Sequence, residues 1–528
     1  MAAPAHAQVA PAAEISPADL SAYARARAAE AAGAADTAAA GYAIALADVP
    51  GDTKLAYLAY RQALAAGDYA LATRAMNVLV KVDAAPPDTA LLGFAVALKA
   101  RDRVGVDAAL ERMRAGPLQF MEPVLKAWLA FERHEEVFAG LDVKGGSAIT
   151  RRYAMANRAL LLIASRKTDE GLAALRPMLG EGGDDNQDLK IDAVLLLDMT
   201  GAQAEADALL NETRGASKSL RRQASRGAQP GAAFGAAHLF LSLAAELSEQ
   251  DAGPLSIVLT RTALLLDPGE DRARLYLAEA LSRGGSDRLA LDVLGQVRKD
   301  GPFGRGAAKG VVSALRRAGH IREAIAGARR LAEDRDSTSA DAQVYGDLLA
   351  GNNQFGAAAA AYGVALKRAG GDGGWYLNFL QGTALDRAGR WPEALGALRR
   401  AVTLAPGQPT ALTYLGFAQV EHRENLAEAQ ALLERARRLR PDDAEIADSL
   451  ARAYYLRGDV IRALPLLERA AQADPGGSLV NEHLGDAYWT LGRRYEARYA
   501  WRAAVIYADA SAATRIQAKL AGGLTASN

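Results

Sequence analysis

The sequence predicts an all-α solenoid of stacked helix-turn-helix pairs, and three observations carry that prediction. Alanines recur at Ala290, Ala324, Ala358, Ala394, Ala429, Ala463 and Ala497, in steps of 34, 34, 36, 35, 34 and 34 residues. A fixed period in the thirties marks repeats that cannot bury an apolar face alone and so stack, each contacting only its neighbours. Hydrophobic residues make up 50 % of the chain but aromatics only 6 %, so Ala and Leu carry the packing, and both favour helix. Alternating β-branched runs are few, which predicts no sheet.

Taken in order, helices start after Ser16-Pro17, a capping residue followed by proline at the first helical position. Ala38, Tyr42, Ala45 and Pro50 fit a first repeat, and Ala72 follows Ala38 by 34 residues. Residues 85–150 read as helical without an assignable phase. Gly171 and Ala206 hold the small position farther on. Glycine-rich breaks fall at Gly145-Gly146 and around Gly180 to Asp185, and Gly227–Gly231 divides an irregular half from a regular one. The expected plan is a tail at 1–16, degenerate repeats over 17–230, a regular array over 231–508, and a capping helix with tail at 509–528. A dozen or more helix pairs, wound as a right-handed superhelix, would fill it.

The regular array reads best at its end. Leu450, Ala451, Tyr454, Ala463, Leu467, Ala470 and Pro475 form one template, repeated by Leu484, Gly485, Tyr488, Ala497, Trp501 and Ala504. Large residue and ring lie one turn apart on the first helix, and the small residues let two backbones approach. Leu277, Ala278, Leu281, Ala290, Leu294 and Pro302 follow it earlier, as do Leu415, Gly416, Ala429, Leu433, Ala436 and Pro441; Val312 breaks it in the unit around Ala324. Gly389, Gly458 and Gly492 stand at the mid-repeat turn, where a positive φ ends the first helix. Gly370–Gly374 lengthens one inter-repeat loop, and Ile516 and Leu520 lie one turn apart on a final helix.

Composition narrows function. Sixty-two basic and 62 acidic residues cancel, against the basic excess of a general nucleic-acid binder. No apolar run has the length of a membrane span, which leaves only peripheral membrane association open. The chain has no cysteine, so disulfides, thiolate metal sites and a cysteine nucleophile are out. The six histidines show no metal-ligand spacing, and no phosphate loop, dinucleotide fingerprint or nucleophile elbow occurs. No cofactor, metal or catalytic residue is therefore expected. Ala5-His6-Ala7 matches the small-x-small site that closes a secretory signal peptide. The segment reads either as the end of an export signal, with a mature start near Gln8, or as an unstructured Ala/Pro tail. Arg214, Lys218, Arg222 and Arg226 are each four residues apart, with Arg221 beside them. As a helix they form a basic stripe, either a solvated face or a holder of an acidic partner, anionic polymer or lipid surface.

The template resembles the tetratricopeptide repeat family, most clearly over 234–508. That resemblance implies a superhelix whose concave face is lined by first-helix residues that do not pack between repeats. By phase these include Tyr376 and Phe379 with Thr383 and Asp386, then Phe417 with Thr410, Thr413 and Val420. Asp448, Arg452 and Tyr455 follow with Glu445, then Glu482, Asp486 and Trp489 with Leu479. Mixed aromatic and acidic groups suit an extended peptide with apolar and basic side chains; alternatively Tyr455 and Trp489 are partly buried between repeats. Family members that clamp an acidic C-terminus use Lys and Asn here, where this chain has Asp448, Arg452, Glu482 and Asp486.

The run Asp448–Tyr455 with Asn481–Trp489 and Gly492-Arg-Arg resembles multi-repeat adaptors of the bacterial envelope, including a lipoprotein that delivers substrates to a periplasmic processing protease. The lipidated cysteine of that lipoprotein is absent. The implied role is a noncatalytic adaptor, periplasmic or envelope-associated, holding a protein or peptide partner. The alternatives are a part of polysaccharide secretion or assembly, a cytoplasmic location, and an enzyme with an unrecognised carboxylate site.

Overall fold

The computed structural model describes residues 17–142, 146–180, 186–211, 229–248, 253–370 and 373–524. Among these residues there are 28 α-helices and no strand, as an all-α solenoid requires. Contacts group the chain into two compact units, Met1–Gly327 and Ala328–Asn528.

The first unit runs through α1 (Pro17–Ala31), α2 (Ala35–Asp48), α3 (Thr53–Ala66), α4 (Tyr69–Lys81), α5 (Thr89–Ala100), α6 (Arg103–Arg114), α7 (Glu122–Glu132), α8 (Ala148–Ala164) and α9 (Thr168–Leu179). It continues with α10 (Gln187–Thr200), α11 (Gln203–Asn211), α12 (Ala232–Ser248), α13 (Gly253–Leu266), α14 (Asp271–Arg283), α15 (Asp287–Gly295) and α16 (Gly304–Arg317). The boundary falls within α17 (Ile321–Glu333).

This unit departs from nearest-neighbour stacking. Helix α7 packs against α12, about a hundred residues on. Trp128 of α7 is fully buried against Gly235, where a Cβ would come within 2.1 Å of the indole, and its ring lies 5.7 Å from Phe234. Glu132 Oε2 accepts the Ala232 amide at 2.8 Å, satisfying a helix-start N–H that has no partner within its own helix. A non-local partner for α7 explains why no phase could be assigned over 85–150. A second long-range contact joins α13 to α3. The Arg261 guanidinium donates to Leu64 O at 2.8 Å and Ala65 O at 2.6 Å, and the Tyr69 hydroxyl donates to Arg261 O at 2.8 Å. The last carbonyls of a helix lack partners and favour a cation, and the planar fork supplies both needs.

The second unit is a regular array: α18 (Ser339–Gly351) with α19 (Phe355–Ala369), α20 (Gly374–Arg387) with α21 (Trp391–Leu404), α22 (Pro409–Glu421) with α23 (Leu426–Leu439), α24 (Ala444–Leu456) with α25 (Val460–Ala473), and α26 (Ser478–Thr490) with α27 (Arg494–Ile506). Helix α28 (Ala510–Gly522) follows. All seven phased alanines of the chain are fully buried. Each second helix of the array faces a small residue on its first helix. A Cβ on Gly416 would sit 2.6 Å from Leu433 Cγ, and one on Gly485 would sit 2.3 Å from Trp501 Cδ1. Gly389, Gly458 and Gly492 close the first helices at φ of 72°, 84° and 79°. Asp443 caps α24 by accepting from Glu445 N and Ile446 N, and Asp509 caps α28 through Ala512 N, the usual device for unpaired N-terminal amides.

Candidate protein-binding surface

First helices of successive pairs in the array meet through side chains about one repeat apart. The Phe379 and Tyr414 rings lie edge to face at 5.7 Å. Asp386 accepts the Tyr414 hydroxyl at 3.0 Å and lies 2.8 Å from His422 Nε2. Burial and the Asp386 charge push the Tyr414 hydroxyl above its ordinary pKa, so it stays a donor. Asp448 lies 3.0 Å from His483 Nδ1, and the Tyr455 hydroxyl lies 3.0 Å from Thr490 Oγ1.

The ladder ends on α28. Arg515 forks onto Glu482 at 2.8 and 2.7 Å, while Lys519 Nζ reaches Glu482 Oε1 at 2.6 Å and Asp486 Oδ2 at 2.8 Å. Trp501 Nε1 donates to Asp486 Oδ1 at 3.0 Å. Two carboxylates thus meet two cations, the pairing that buried charge requires. Burial alone would raise the Glu482 carboxyl, but hydrogen bonds from Arg515 and Lys519 outweigh it and hold the group at about 2.

Of the residues singled out by phase, Tyr376 is exposed, at 49 %. Phe379, Phe417, Arg452 and Tyr455 are half-buried, and the Arg452 guanidinium sits 5.3 Å from the centre of the Tyr455 ring. Asp448, Glu482 and Asp486 are buried and engaged in the ladder. Trp489 is half-buried, with Arg494 3.9 Å from its ring centre and Trp501 at 5.3 Å. Arg214, Lys218, Arg221, Arg222 and Arg226 lie outside the described residues.

Family models of the tetratricopeptide repeat match residues 346–409 and 387–453. Residues 346–453 are tetratricopeptide repeats. The matched repeats carry Tyr376, Phe379, Phe417, Asp448 and Arg452. Solved structures similar to parts of this chain include YrrB, described as having an unusual peptide-binding site. It is 20 % identical over 33 % of this chain and 88 % of that one, with a TM-score of 0.30. MamA is 24 % identical over 33 % and 96 %, at 0.28. The C-terminal part of a repeat protein from Cytophaga hutchinsonii is 18 % identical over 46 % and 98 %, at 0.36. No curated protein sequence matches the chain.

Outside the matched repeats, the first unit holds a buried ion assembly. Arg272, 1 % exposed, donates through Nε and Nη2 to Glu270 at 3.1 and 3.0 Å and lies 2.7 Å from Asp192 and 3.4 Å from Asp188. Burial opposes ionisation of Glu270, but Arg272 more than offsets this and holds the carboxyl at about 2. His238 Nδ1 lies 2.8 Å from Arg272 Nη2. None of these residues stood out in the sequence, because they come from three helices and a loop. The available signal was Asp192 and His238, each at the head of an apolar run, 193–197 and 239–241. Among the described residues no helix is long and apolar enough to cross a membrane.

Proposed function

We propose that this protein is a noncatalytic scaffold that holds an extended segment of a protein partner along the first-helix face of residues 374–456. Tetratricopeptide repeats support protein–protein interaction in general. The observation that favours this face is its row of partly open rings, Tyr376, Phe379, Tyr414, Phe417 and Tyr455, spread over three successive first helices and followed by Arg452. Rigid aromatic and guanidinium groups contribute most of the energy at protein interfaces. The carboxylates of the ladder act as supports, since they are spent on neighbouring helices. We further place the protein in the bacterial envelope, delivering substrates to a periplasmic protease or wall hydrolase. The support for that placement is the resemblance of 448–494 to envelope adaptors and the Ala5-His6-Ala7 pattern.

The test is affinity capture of the tagged chain after mild crosslinking in its native cell, beside a Tyr376→Ala, Arg452→Ala variant with unchanged circular dichroism. Truncating two anchors costs about 2–4 kcal/mol, so the partner should fall roughly 30-fold or more. A protease or hydrolase lost in the variant supports the adaptor. Synthase or export subunits retained equally by both forms would replace it with the polysaccharide reading.

A further inference from the structure

Helix α27 buries one side and leaves the other bare. Ala497, Ala500, Trp501 and Ala504 are buried within the array, and their spacing places them on one face of the helix. The other face carries Tyr495, Tyr499 and Ile506, which are 83, 71 and 71 % exposed. Single apolar residues on a surface need no explanation, but a contiguous group of large ones marks an interaction site. The group extends past the helix. Tyr507, just beyond its end, is exposed, and so is Ile461 of α25, which holds the position of Tyr495 one repeat earlier. Side chains this open stand clear of the surface and line no groove. They are groups that enter a partner rather than receive one.

Arginines flank the row. Arg494, Arg498 and Arg502 are each four residues apart and exposed, which makes them a stripe beside Tyr495 and Tyr499. Arg494 donates to Trp489 O at 2.6 Å, and Arg498 lies 5.7 Å from the centre of the Trp489 ring. Among the described residues none of the three meets a carboxylate. The single acid of α27, Glu496, is held by Arg493 at 2.9 Å. Glu468 of α25 accepts the Tyr488 hydroxyl at 2.7 Å and lies 3.7 Å from Arg493. The face is therefore apolar and cationic, with both nearby acids engaged.

This combination selects the occupant. A soluble polyanion would satisfy the arginines and leave Tyr495, Tyr499 and Ile506 in water. An anionic bilayer takes both kinds of group. Its phosphates pair with guanidinium forks, while tyrosine rings and an aliphatic side chain settle at the boundary between headgroups and acyl chains. A fluid bilayer also accepts a protruding ring without a preformed pocket. Tyr495 and Ile506 are eleven residues apart, about 17 Å along the axis, so the row spans several lipids.

We propose that α27 docks this protein on an anionic membrane surface, with Tyr495, Tyr499 and Ile506 inserted and Arg498 and Arg502 paired with lipid phosphates. The helix lies along the membrane and does not cross it. The proposal is independent of the face at 374–456, which is made of first helices, whereas α27 is a second helix.

The experiment is co-sedimentation of the full chain with vesicles of phosphatidylglycerol and phosphatidylcholine in equal parts, beside vesicles of phosphatidylcholine alone. Two variants with unchanged circular dichroism run alongside. One carries Arg498→Gln and Arg502→Gln, the other Tyr495→Gln, Tyr499→Gln and Ile506→Gln. All five side chains are exposed, so neither set disturbs the core. The expected result is saturable binding to the anionic vesicles and at least about tenfold less to the neutral ones. An arginine near an anionic surface contributes roughly fivefold in binding, so the first variant should bind about 25-fold more weakly. The second should lose at least about tenfold through its apolar contacts. Weakening by the arginine variant alone would make the face a site for a soluble polyanion, such as an acidic protein segment, and would overturn the membrane reading. No binding to the anionic vesicles, equal binding to both vesicles, or binding unchanged by the arginine variant would overturn it as well.

Discussion

Lys519 holds its ammonium 2.6 Å from the Glu482 carboxylate, one repeat back along the chain, and both side chains are at most 7 % exposed. This contact, with Asp486 completing it, makes α28 part of the array. Replacing Lys519 by Ala leaves the buried Asp486 without a cation while Glu482 keeps Arg515, and stranding one buried acid costs about 3–5 kcal/mol. Urea unfolding followed by the fluorescence of Trp489 and Trp501 should show a lower midpoint, and amide exchange over 510–522 should quicken. An unchanged midpoint would mean that Arg515 alone secures the helix.

Acid should loosen the array in a defined window. Glu482 is held at about 2 against an ordinary 4.5, and Glu270 likewise in the first unit. A depressed carboxyl contributes its full stabilisation above the unfolded value and loses it as pH falls through the folded one. Melting temperature should therefore drop between roughly pH 4.5 and pH 2. Glu482→Gln should be less stable at neutral pH and should show a shallower acid slope.

Two glycine substitutions should act in opposite senses. Gly485→Ala drives a methyl to 2.3 Å from Trp501 Cδ1, and overpacking of this kind costs about 1–3 kcal/mol. Gly356 lies in α19 with open space around a Cβ, so Gly356→Ala should stabilise by about 0.5–1 kcal/mol through helix propensity. Thermal unfolding of the two variants measures both signs at once.

Arg261→Met removes the fork that joins α13 to the end of α3. Hydrogen bonds to a charged donor contribute about 1.5–3 kcal/mol, and the loss should appear as faster amide exchange over 53–66 with the second unit unaffected. Equal protection in both forms would assign the contact no role in stability.

The array was legible because its packing is periodic. Ala394, Ala429 and Ala463 are small since a neighbouring helix lies there, and that constraint prints itself every repeat. The same regularity gave the first-helix phase of Tyr376 and Phe417. It could not show which groups of that face are spent internally. Glu482 and Lys519 are 37 residues apart, and only the folded backbone reveals that they meet. The first unit was less legible because its decisive contacts are not periodic. Trp128 with Gly235 and Arg272 with Asp192 join helices at unrelated separations, so no spacing signals them.

The pairing of α7 with α12 also orders events during synthesis. The acceptor of the Ala232 amide, Glu132, is made 100 residues earlier. At about 5–20 residues per second, the indole face of Trp128 waits roughly 5–20 s on the ribosome for the helix that covers it. A nascent chain of this protein thus carries an open apolar seam that the finished one lacks, so the first unit is the part most prone to aggregate while it is being made.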